Sequence, residues 1–548
     1  MMYLKNWQTN IAELKQTKIE LPQFNVPQFK LNGKQSPVWL HFGGGNLYRG
    51  FHAEVAQKLA NQGELEAGIV VCETFDQEII EEVYQPFDNN FLEIIMHENG
   101  QLHTRLLAST ADSLYCHPTN QNHYEQVIHY FENPELKFLT FTITEKGYRL
   151  RDLSGKYLPV IEEDIKNGPE KAQHTMSIIT ALLYKRFMVG ELPIAIVSTD
   201  NFSQNGRCFK ESILSLAGEW VKKDFVPKTF VAYLQDTNKV TFPWSMIDRI
   251  TPNPSKKIYT ELKDTTFTDI EMIQTKQQTN MASFTNTEAS HYLVIEDNFL
   301  NGRPDLEKAG VILTDRDTVD KTDAMKVTTC LNPLHTALAI TGCLLGYTSI
   351  ADEMKDKDLV NLIHGIGYQE GLPVVEDPGI IDPKKFIDEV VKKRLPNPNI
   401  PDTPQRIATD TSQKMAIRFG ETIKKYALSE DKTTHSLSYI PVTIAAWLRY
   451  LLAIDDKGNA FTPSNDPLLN ELQEKLAMIQ LGKQNKEQIH KLLMPILANS
   501  AIFGSDLYQV GLGEKVEAFF IKMLAGPGAV RQTIHELKIG GNNNGNDV

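Results

Sequence analysis

The sequence contains no long apolar run and no segment rich in lysine and arginine. Nowhere in its 548 residues does an uninterrupted apolar stretch approach the roughly 18 residues of a membrane-spanning helix. The N-terminal segment MMYLKNWQTN lacks the apolar core of a secretory signal peptide. The formal charge is −13 at pH 7, whereas binding to nucleic acid phosphates requires a basic face. We therefore expect a cytoplasmic protein that binds neither membranes nor nucleic acids.

Cysteine is scarce, and its spacing fits neither a disulfide framework nor a metal site. The five cysteines are scattered, odd in number and without a Cys-x-x-Cys or Cys/His pattern. We predict reduced thiols and no bound metal. Internal repeats are absent as well.

The apolar pattern changes along the chain, and its length favours two domains. In the first half, short β-branched runs such as AGIVVCETF and IAIVSTDNF alternate with helical segments, which predicts βαβ units around a mostly parallel sheet. The second half is dominated by helical periodicity, as in LHTALAITGCLLGY. We place the join near Gly310, with domains at 1–310 and 311–548. The N-terminal domain begins with an extension, and the C-terminal one ends in a disordered tail from about residue 540.

A glycine turn follows the first predicted strand, in the segment WLHFGGGNLYRGF (39–51). The run after it has helical spacing, and a strand–turn–helix of this kind directs backbone N–H groups at a pyrophosphate. Position 48 holds Tyr48 instead of the third glycine of the usual G-x-G-x-x-G pattern. We assign Gly43, Gly44, Gly45 and Asn46 to the cofactor. The predicted fold is a Rossmann-type α/β domain followed by a mostly α-helical domain.

In a doubly wound sheet, ligands bind beyond the carboxyl ends of the strands, so residues that close the predicted strands are expected there. Glu73 and Asp76 follow the second strand, and Thr144 and Glu145 follow a later one. A carboxylate after the second strand binds a ribose 2′-OH, whereas a 2′-phosphate needs a nearby arginine. Because residues 74–90 contain no Lys or Arg, NAD(H) is favoured over NADP(H). The alternative is that Glu73 is an ordinary solvated loop residue.

The segment DAMKVTTCLNPLHTALAITGCLLGY places Lys326, Asn332 and His335 just ahead of, or within, the start of an apolar helix. Asn332 before Pro333 resembles a helix cap followed by proline at the first helical position. Lysine, amide and imidazole together can take a proton from an alcohol and hydrogen-bond the remaining oxygen, as oxidation of a secondary alcohol without a metal requires. The alternatives are a helix-capping Asn332, a core His335 and a surface Lys326.

Several motifs in order resemble the polyol-specific long-chain dehydrogenase/reductase family, the mannitol dehydrogenase family, and most of all its hexuronate reductase branch. The glycine turn departs from G-x-G-x-x-G in the same manner as in that family. Further matching segments are TITEKGY (142–148), STDNFSQNG (198–206), FPWSMIDRITP (242–252), VIEDNFLNGRPDLEKAGV (294–311), RIATDTSQK (406–414) and IPVTIAAWLRYL (440–451). The resemblance implies a metal-independent, NAD(H)-dependent enzyme of carbohydrate metabolism, with hydride transfer to or from a secondary carbon.

The resemblance also implies roles for individual residues. Lys326 resembles the catalytic lysine, which acts as base in oxidation and as acid in reduction. Asn201 and Asn332 resemble the asparagines whose amides stabilise the alkoxide-like oxygen. Asp323, three positions before the lysine, resembles a carboxylate linked to proton exit. The residues that resemble holders of substrate hydroxyl groups are His335, Asp248, Arg406 and Lys414.

One spacing departs from the family. Lys326 precedes Asn332 by six positions instead of the five of mannitol dehydrogenase, which on a continuous helix rotates the lysine by about 100°. Because Asn332 precedes a proline, we expect the helix to break there. Lys326 would then lie on a different segment, and its direction relative to Asn332 would not follow from its position on a continuous helix. Lys321 is the alternative catalytic lysine.

The substrate implied by the resemblance is a keto sugar acid, D-fructuronate with its product D-mannonate first and tagaturonate second. Arg406 and Lys414 are cations available for its carboxylate, as are Arg249 and Lys146 in other motifs. A mannitol 2-dehydrogenase-like enzyme of polyols and ketoses is the alternative. In a different class, a non-catalytic nucleotide or sugar sensor with the same fold stays open. The pattern leaves the oligomeric state and the role of the polar stretch 255–280 undetermined.

Overall fold

The computed structural model describes residues 2–152, 154–263, 267–483 and 485–541. Its contacts divide the chain into two compact units, one of Met1–His97 and Gln101–Asp320, the other of Glu98–Gly100 and Lys321–Val548. The tail expected from about residue 540 lies, from 542 onwards, outside the described residues.

The first unit contains the strands of the protein, which lie in one large sheet and several small ones. In chain order they are β1 (Trp39–Phe42), β2 (Ile69–Glu73), β3 (Phe91–Met96), β4 (Leu102–Leu107), β5 (Thr110–Tyr115), β6 (Phe138–Phe141), β7 (Ile194–Ser198), β8 (Val240–Thr241), β9 (Ser245–Asp248), β10 (Met272–Gln274), β11 (Asn280–Ala282), β12 (Phe284–Glu288), β13 (Tyr292–Glu296) and β14 (Ile312–Thr314).

The large sheet is parallel throughout and has the strand order β5-β2-β1-β6-β7-β8. This is the 3-2-1-4-5-6 order of the Rossmann fold, in which the order reverses between the first and fourth strands. Here the reversal falls between β1 and β6, where Leu40 pairs with Leu139. The ligand crevice predicted from the sequence therefore lies at the carboxyl ends of these two strands.

Helices cover both faces of this sheet. The helices of the first unit, together with the helix that crosses into the second, are α1 (Ile11–Leu14), α2 (Val26–Gln35), α3 (Ala53–Asn61), α4 (Gln121–Glu132), α5 (Pro159–Asn167), α6 (Thr175–Met188), α7 (Asn205–Lys222), α8 (Lys228–Gln235), α9 (Lys256–Lys263) and α10 (Arg316–Met325).

The alternation of side chains along each strand distributes the core between those two faces. Leu40 and Phe42 of β1 pack in the cluster that contains the apolar residues of α4 to α8. Trp39 of the same strand packs in a second cluster, with α3. Buried on both faces, the central strands β1, β2, β6 and β7 are mostly apolar, as parallel strands are.

A third core cluster unites the N-terminal extension with the polar stretch 255–280. Leu4 and Trp7 are buried there with Ile258 and Leu262 of α9 and with residues of β3, β4 and β12. The Leu4 N–H also donates to the Asp269 carboxylate, at 2.9 and 3.1 Å. These two additions to the nucleotide-binding fold thus stabilise each other.

The second unit is helical. Its helices are α11 (Asn332–Leu345), α12 (Ile350–Glu353), α13 (Lys357–His364), α14 (Pro383–Glu389), α15 (Pro404–Ile407), α16 (Glu421–Leu428), α17 (Tyr439–Leu451), α18 (Leu469–Leu476), α19 (Lys486–Leu497), α20 (Ser500–Phe503), α21 (Gly513–Met523) and α22 (Ala529–Gly541).

Helix α17 lies at the centre of this unit, and all of its residues are buried. Its first N–H groups, which have no partner within the helix, donate to the Glu370 carboxylate, with Tyr439 N and Ile440 N both at 2.8 Å from it. The predicted fold class, a Rossmann-type domain followed by a mostly helical domain, is confirmed. Among the described helices, none is both long and apolar enough to cross a membrane.

Candidate functional site

The glycine turn follows β1 at the point where the strand order reverses. Gly43 has φ +104°, and a Cβ there would lie 2.2 Å from the carbonyl oxygen of Thr142. A Cβ on Gly45 would meet no atom within 4 Å. The following helix begins at Asn46, whose Oδ1 is buried without a hydrogen-bond partner among the described residues. The turn is therefore closed by β6 at its first glycine and open at its third.

Glu73, at the end of β2, holds this turn in place. Its carboxylate accepts the N–H of Gly44 at 2.9 Å, of Thr74 at 3.0 Å and of Phe75 at 2.9 Å. Burial raises the pKa of Glu73, and the backbone donors oppose that rise. Because its carboxylate accepts these backbone hydrogen bonds and the residue is buried, Glu73 stabilises the conformation of the glycine turn and is not a solvated loop residue.

Asp76 is engaged by the 255–280 stretch. Its Oδ2 accepts the hydroxyl of Thr275 at 2.6 Å and that of Thr279 at 2.9 Å, both in the turn between β10 and β11. The neighbouring Lys276 pairs with Glu78 through its side chain, and its N–H donates to the same carboxylate at 2.8 Å. The sequence has no Lys or Arg at 74–90, but the fold places Lys276 beside this segment.

The loop after β6 contains Thr144 in a backbone conformation that is rare for a β-branched residue, with φ +64° and ψ +156°. Asp200 maintains it by accepting the N–H groups of Ile143 and Thr144, both at 2.9 Å, and the hydroxyl of Tyr148 at 2.7 Å. Burial raises the pKa of Asp200. Thr144 and Glu145 are exposed, as is Asn201, which directly follows Asp200.

Arg49, three positions after Asn46, is fully buried beneath the glycine turn. Its guanidinium carbon lies 4.6 Å from the ring centroid of Phe91, and its nitrogens have no hydrogen-bond partner among the described residues. Burial lowers the pKa of Arg49 to about 10. Arg49 belongs to the motif WLHFGGGNLYRGF, but the spacing of apolar residues in the sequence does not predict that an arginine at this position is buried.

Asp248 and Arg249 follow one another at the end of β9 with different surroundings. Asp248 is buried and pairs in register with Tyr292 of β13. Arg249 is buried against Glu54 and, at 3.1 Å, against Glu93. Its charge is thus balanced within the first unit, which leaves Arg249 unavailable as a clamp for a substrate carboxylate.

In the second unit, Lys326 begins a single π-helical turn, Lys326–Cys330, between α10 and α11. The N–H of Leu331 donates a hydrogen bond to the carbonyl of Lys326, five residues earlier, at 3.1 Å. A π turn contains one residue more than an α turn, and such turns are frequent at functional sites. The six-position spacing from Lys326 to Asn332 is accommodated here, and the direction of the lysine does not follow the arithmetic of a continuous α-helix.

The break after this turn lies one residue earlier than the proline predicted. Leu331, with φ −127° and ψ −62°, precedes α11, while Asn332 is the first residue of the helix and Pro333 the second. The interpretation of Asn332 as the capping residue is therefore wrong by one position. The Asn332 side chain accepts no backbone N–H of α11 as a capping residue would, and it lies half-buried on the first turn of the helix.

Lys326 and Asp323 form a buried pair. The lysine Nζ lies 3.4 Å from the Asp323 Oδ1, and the lysine side chain is 1% exposed. Lys321, the alternative lysine, lies 3.9 Å from the Glu376 carboxylate, and its side chain is about half exposed.

His335, in the first turn of α11, is linked to Arg406 by Asp402, a residue that sequence reasoning missed. Its Nε2 lies 3.4 Å from Asp402 Oδ2, and Arg406 donates to the other oxygen of that carboxylate. Burial on its own raises the pKa of Asp402, but His335 and Arg406 together hold that pKa below its ordinary value. Nothing in the local sequence pairs Asp402 with His335, although Asp402 precedes the quoted motif by only four residues.

Lys414 lies close to a second residue that was missed, Arg418. The lysine donates to the Thr409 carbonyl, and the arginine donates to the Thr336 hydroxyl of α11. Burial lowers the pKa of Lys414 to about 8, with a contribution from the positive charge of Arg418. The second unit thus brings together Asn332, His335, Arg406 and Lys414 through their contacts with α11 and with the segment 402–418.

Comparison with known proteins identifies the chain. The model of the mannitol dehydrogenase Rossmann domain matches residues 38–308, and that of the mannitol dehydrogenase C-terminal domain matches residues 318–520. D-mannonate oxidoreductase of Thermotoga maritima is 49% identical over 518 residues, which cover 94% of this chain and 95% of the relative. The chain belongs to the mannitol dehydrogenase family. This confirms the resemblance identified from the motifs and supports the hexuronate reductase branch.

Two solved structures share the fold of this family member. A substrate-free D-sorbitol dehydrogenase aligns with a TM-score of 0.76 at 22% identity, over 94% of this chain and 98% of that one. The ternary complex of Pseudomonas fluorescens mannitol 2-dehydrogenase with NAD and D-mannitol aligns with a TM-score of 0.70 at 24% identity, over 96% and 99%. In the described part of this chain, His, Cys, Asp and Glu side chains form no group of three or more suited to a metal ion.

Proposed function

We propose that this family member is an NAD(H)-dependent oxidoreductase that interconverts a keto sugar acid and its hydroxy acid, with D-fructuronate and D-mannonate as the preferred pair. The observation that carries the proposal is the 49% identity to a D-mannonate oxidoreductase, which extends over nearly the whole of both chains. The proposal assigns nucleotide binding to residues 1–310 and substrate binding to residues 311–548.

The residues at the carboxyl ends of β1, β2 and β6 fit a dinucleotide. The open side of Gly45 and the backbone N–H groups at the start of the helix would form a cradle for a pyrophosphate, while the unpartnered Asn46 Oδ1, an acceptor, suits a ribose hydroxyl group. When bound, the nicotinamide ring supplies the hydride acceptor for oxidation or the hydride donor for reduction. Gly43 to Asn46 would hold the pyrophosphate, and Thr144 and Glu145 are exposed on the adjacent loop.

The charge near the end of β2 favours NAD(H) over NADP(H). Glu73, Asp76 and Glu78 surround this strand end, and the one cation placed there by the described contacts, Lys276, is already paired with Glu78. A 2′-phosphate would add negative charge beside these carboxylates, which is unfavourable because like charges repel. The support thus comes from net charge, because the oxygens of Glu73 are occupied by backbone donors.

Lys326 is proposed to move the proton of the reacting hydroxyl group. As a base it takes the proton from the alcohol in oxidation, and as an acid it returns the proton to the oxygen in reduction. The Asp323 carboxylate lies 3.4 Å from the lysine Nζ, and both side chains are buried. The carboxylate of Asp323 is also the neighbour through which the proton would leave.

Substrate binding is proposed for the first turn of α11 and the segment that faces it. The amide of Asn332 would donate to the reacting oxygen, and His335 would hold a neighbouring hydroxyl in an orientation that the Asp402 carboxylate, 3.4 Å from its Nε2, would favour. Arg406 and Lys414 supply further donors from the facing segment. The roles of Asn201 and Asp248, which lie in the first unit, stay predictions from the family motifs.

The proposal is tested by following NADH consumption with D-fructuronate, D-tagaturonate and D-fructose presented side by side, and with NADPH in place of NADH as control. We expect a strong preference for D-fructuronate and for NADH. Preference for D-fructose would identify a ketose and polyol enzyme instead. Absence of turnover with all three, with NADH still bound, would favour a nucleotide-binding sensor.

A further inference from the structure

Arg418 is a half-buried cation in the second unit, and its charge is not balanced by a carboxylate among the described residues. It lies in a π-helical turn, Ala416–Gly420, twelve residues after Arg406 and four after Lys414. No carboxylate among the described residues forms an ion pair with it, and burial lowers the pKa of its guanidinium to about 10. Taking a guanidinium partly out of water without a carboxylate partner is costly, and an anionic ligand bound to it would offset part of that cost.

Arg406, in contrast to Arg418, is exposed and has a carboxylate partner. Its guanidinium donates to the Asp402 carboxylate, and its side chain is 62% exposed. Because Asp402 already compensates Arg406, a negatively charged ligand gains less from Arg406 than from an arginine without a partner. The two arginines of this region are therefore not equivalent as anion-binding groups.

A threonine fixes the position of Arg418 relative to the candidate substrate site. The Thr336 hydroxyl accepts from the Arg418 guanidinium and donates to the Asn332 carbonyl at 2.9 Å. Thr336 directly follows His335, so the guanidinium lies against the first turn of α11, which carries both Asn332 and His335. Only one of its nitrogens is used in this contact, and the guanidinium keeps donors for a second partner.

Lys414 adds a second positive charge beside this guanidinium. Lys414 precedes Arg418 by four positions, and after burial the repulsion from the positive charge of Arg418 contributes to the lowered pKa of Lys414, while Asp410 and Asp466 oppose it. An anionic ligand between them would remove this repulsion, whereas a neutral hydroxyl group would not. The pair therefore discriminates between ligands by charge.

We propose that Arg418, together with Lys414, binds the carboxylate of the sugar acid substrate and determines the preference for a sugar acid over the corresponding neutral ketose or polyol. The proposal rests on the proposed function and deepens it by naming the specificity-determining residue. Guanidinium matches carboxylate geometry through two parallel N–H donors, which a lysine cannot reproduce. Neutral polyols would form no ion pair with either cation and so bind less tightly.

The test compares the wild type with Arg418→Gln, Arg418→Lys and, as a matched surface control, Lys432→Gln, which removes an exposed cation from the same unit. Two quantities are measured. One is kcat/KM for D-fructuronate and for D-fructose with NADH, and the other is the affinity of the NAD-loaded enzyme for D-mannonate and for D-mannitol by calorimetry. Far-UV circular dichroism and the unfolding midpoint verify that each variant is folded.

We expect Arg418→Gln to lower kcat/KM for D-fructuronate, and affinity for D-mannonate, by about 100-fold or more, since it removes a charge-assisted hydrogen bond. The same change should alter the values for D-fructose and D-mannitol by less than about threefold. Arg418→Lys should recover part of the loss and Lys432→Gln should show none. A salt dependence of D-mannonate binding that disappears in Arg418→Gln would further support the assignment.

The outcomes separate this inference from the proposed function. If the wild type prefers the acid but Arg418→Gln weakens acid and neutral ligands alike, Arg418 has only a structural role and the inference is wrong, while the proposed function stands. If the wild type turns over none of the keto sugars, the proposed function fails, and the ratio of D-mannonate to D-mannitol affinity still decides about the carboxylate site. Equal affinities in the wild type overturn that site.

Discussion

Two glycines of the same turn are expected to respond oppositely to substitution by alanine. Gly43 is in a positive-φ conformation against the Thr142 carbonyl, whereas Gly45 has open space where a Cβ would project. Gly43→Ala should therefore damage the fold of the first unit. Gly45→Ala should leave that fold intact and act on cofactor binding, because the new methyl group occupies the space proposed for the pyrophosphate.

The magnitudes follow from the geometry. For Gly43→Ala, an L-residue at φ +104° costs about 1–3 kcal/mol of strain. The contact of 2.2 Å with a backbone oxygen requires a further shift of the strand, which costs about 1–3 kcal/mol. Together these are a substantial part of the roughly 5–15 kcal/mol that stabilises a folded domain. For Gly45→Ala the change in stability should be below about 1 kcal/mol.

Urea unfolding followed by tryptophan fluorescence measures the first effect, since four of the five tryptophans lie in the first unit. Titration with NADH measures the second. We expect a lower urea midpoint for Gly43→Ala, and an unchanged midpoint with at least about tenfold weaker NADH binding for Gly45→Ala. A Gly43→Ala protein as stable as the wild type, or a Gly45→Ala protein with unchanged NADH affinity, would refute the assigned geometry of the turn.

Three further predictions concern single charged groups in the second unit. Lys326→Ala should lower kcat by about 10²–10⁴-fold while NADH binding is retained, and a fluorescence titration beside the rate assay checks both; undiminished turnover would move the role to Lys321. Asp402→Asn should lower kcat/KM by about tenfold or more without a comparable loss of stability, because His335 and Arg406 lose the carboxylate between them; equal kinetics would contradict the positioning role. Burial raises the pKa of Glu353 to about 9, so stability from this group is fully present below its unfolded-state pKa and is lost as pH rises towards 9. Glu353→Gln cannot ionise, so its advantage in stability over the wild type should be larger at pH 8 than at pH 5. Urea midpoints of both proteins at the two pH values measure this advantage, and an advantage independent of pH would contradict the buried neutral carboxyl.

The local sequence predicted the elements that depend on short-range periodicity and backbone preference. The apolar run at Trp39 to Phe42 forms a buried parallel strand, and the glycines after it form the turn. The change from alternating strands and helices to helices alone marked the change of architecture, and the family motifs were confirmed by the comparisons. These features rest on interactions among neighbours, which a linear pattern records.

The roles of individual polar side chains could not be predicted to the same extent. Glu73 was predicted to bind a ribose, which stays a prediction, whereas its contacts with the backbone N–H groups of the glycine turn were not foreseen. Arg249 was a candidate for a substrate carboxylate, but it is buried against acidic residues of the same unit. In both cases burial creates a need for partners, and packing determines which partners are within reach.

What the sequence by itself determined is the order of the elements, the glycine turn and the motif that contains Lys326, because each depends on residues a few positions apart. Only the tertiary structure decided that Asp402 joins His335 to Arg406 and that Arg418 reaches Thr336 across 82 residues of chain. The reason is physical. Contacts between distant segments arise from how helices pack, and the spacing of residues along the chain carries little information about that packing.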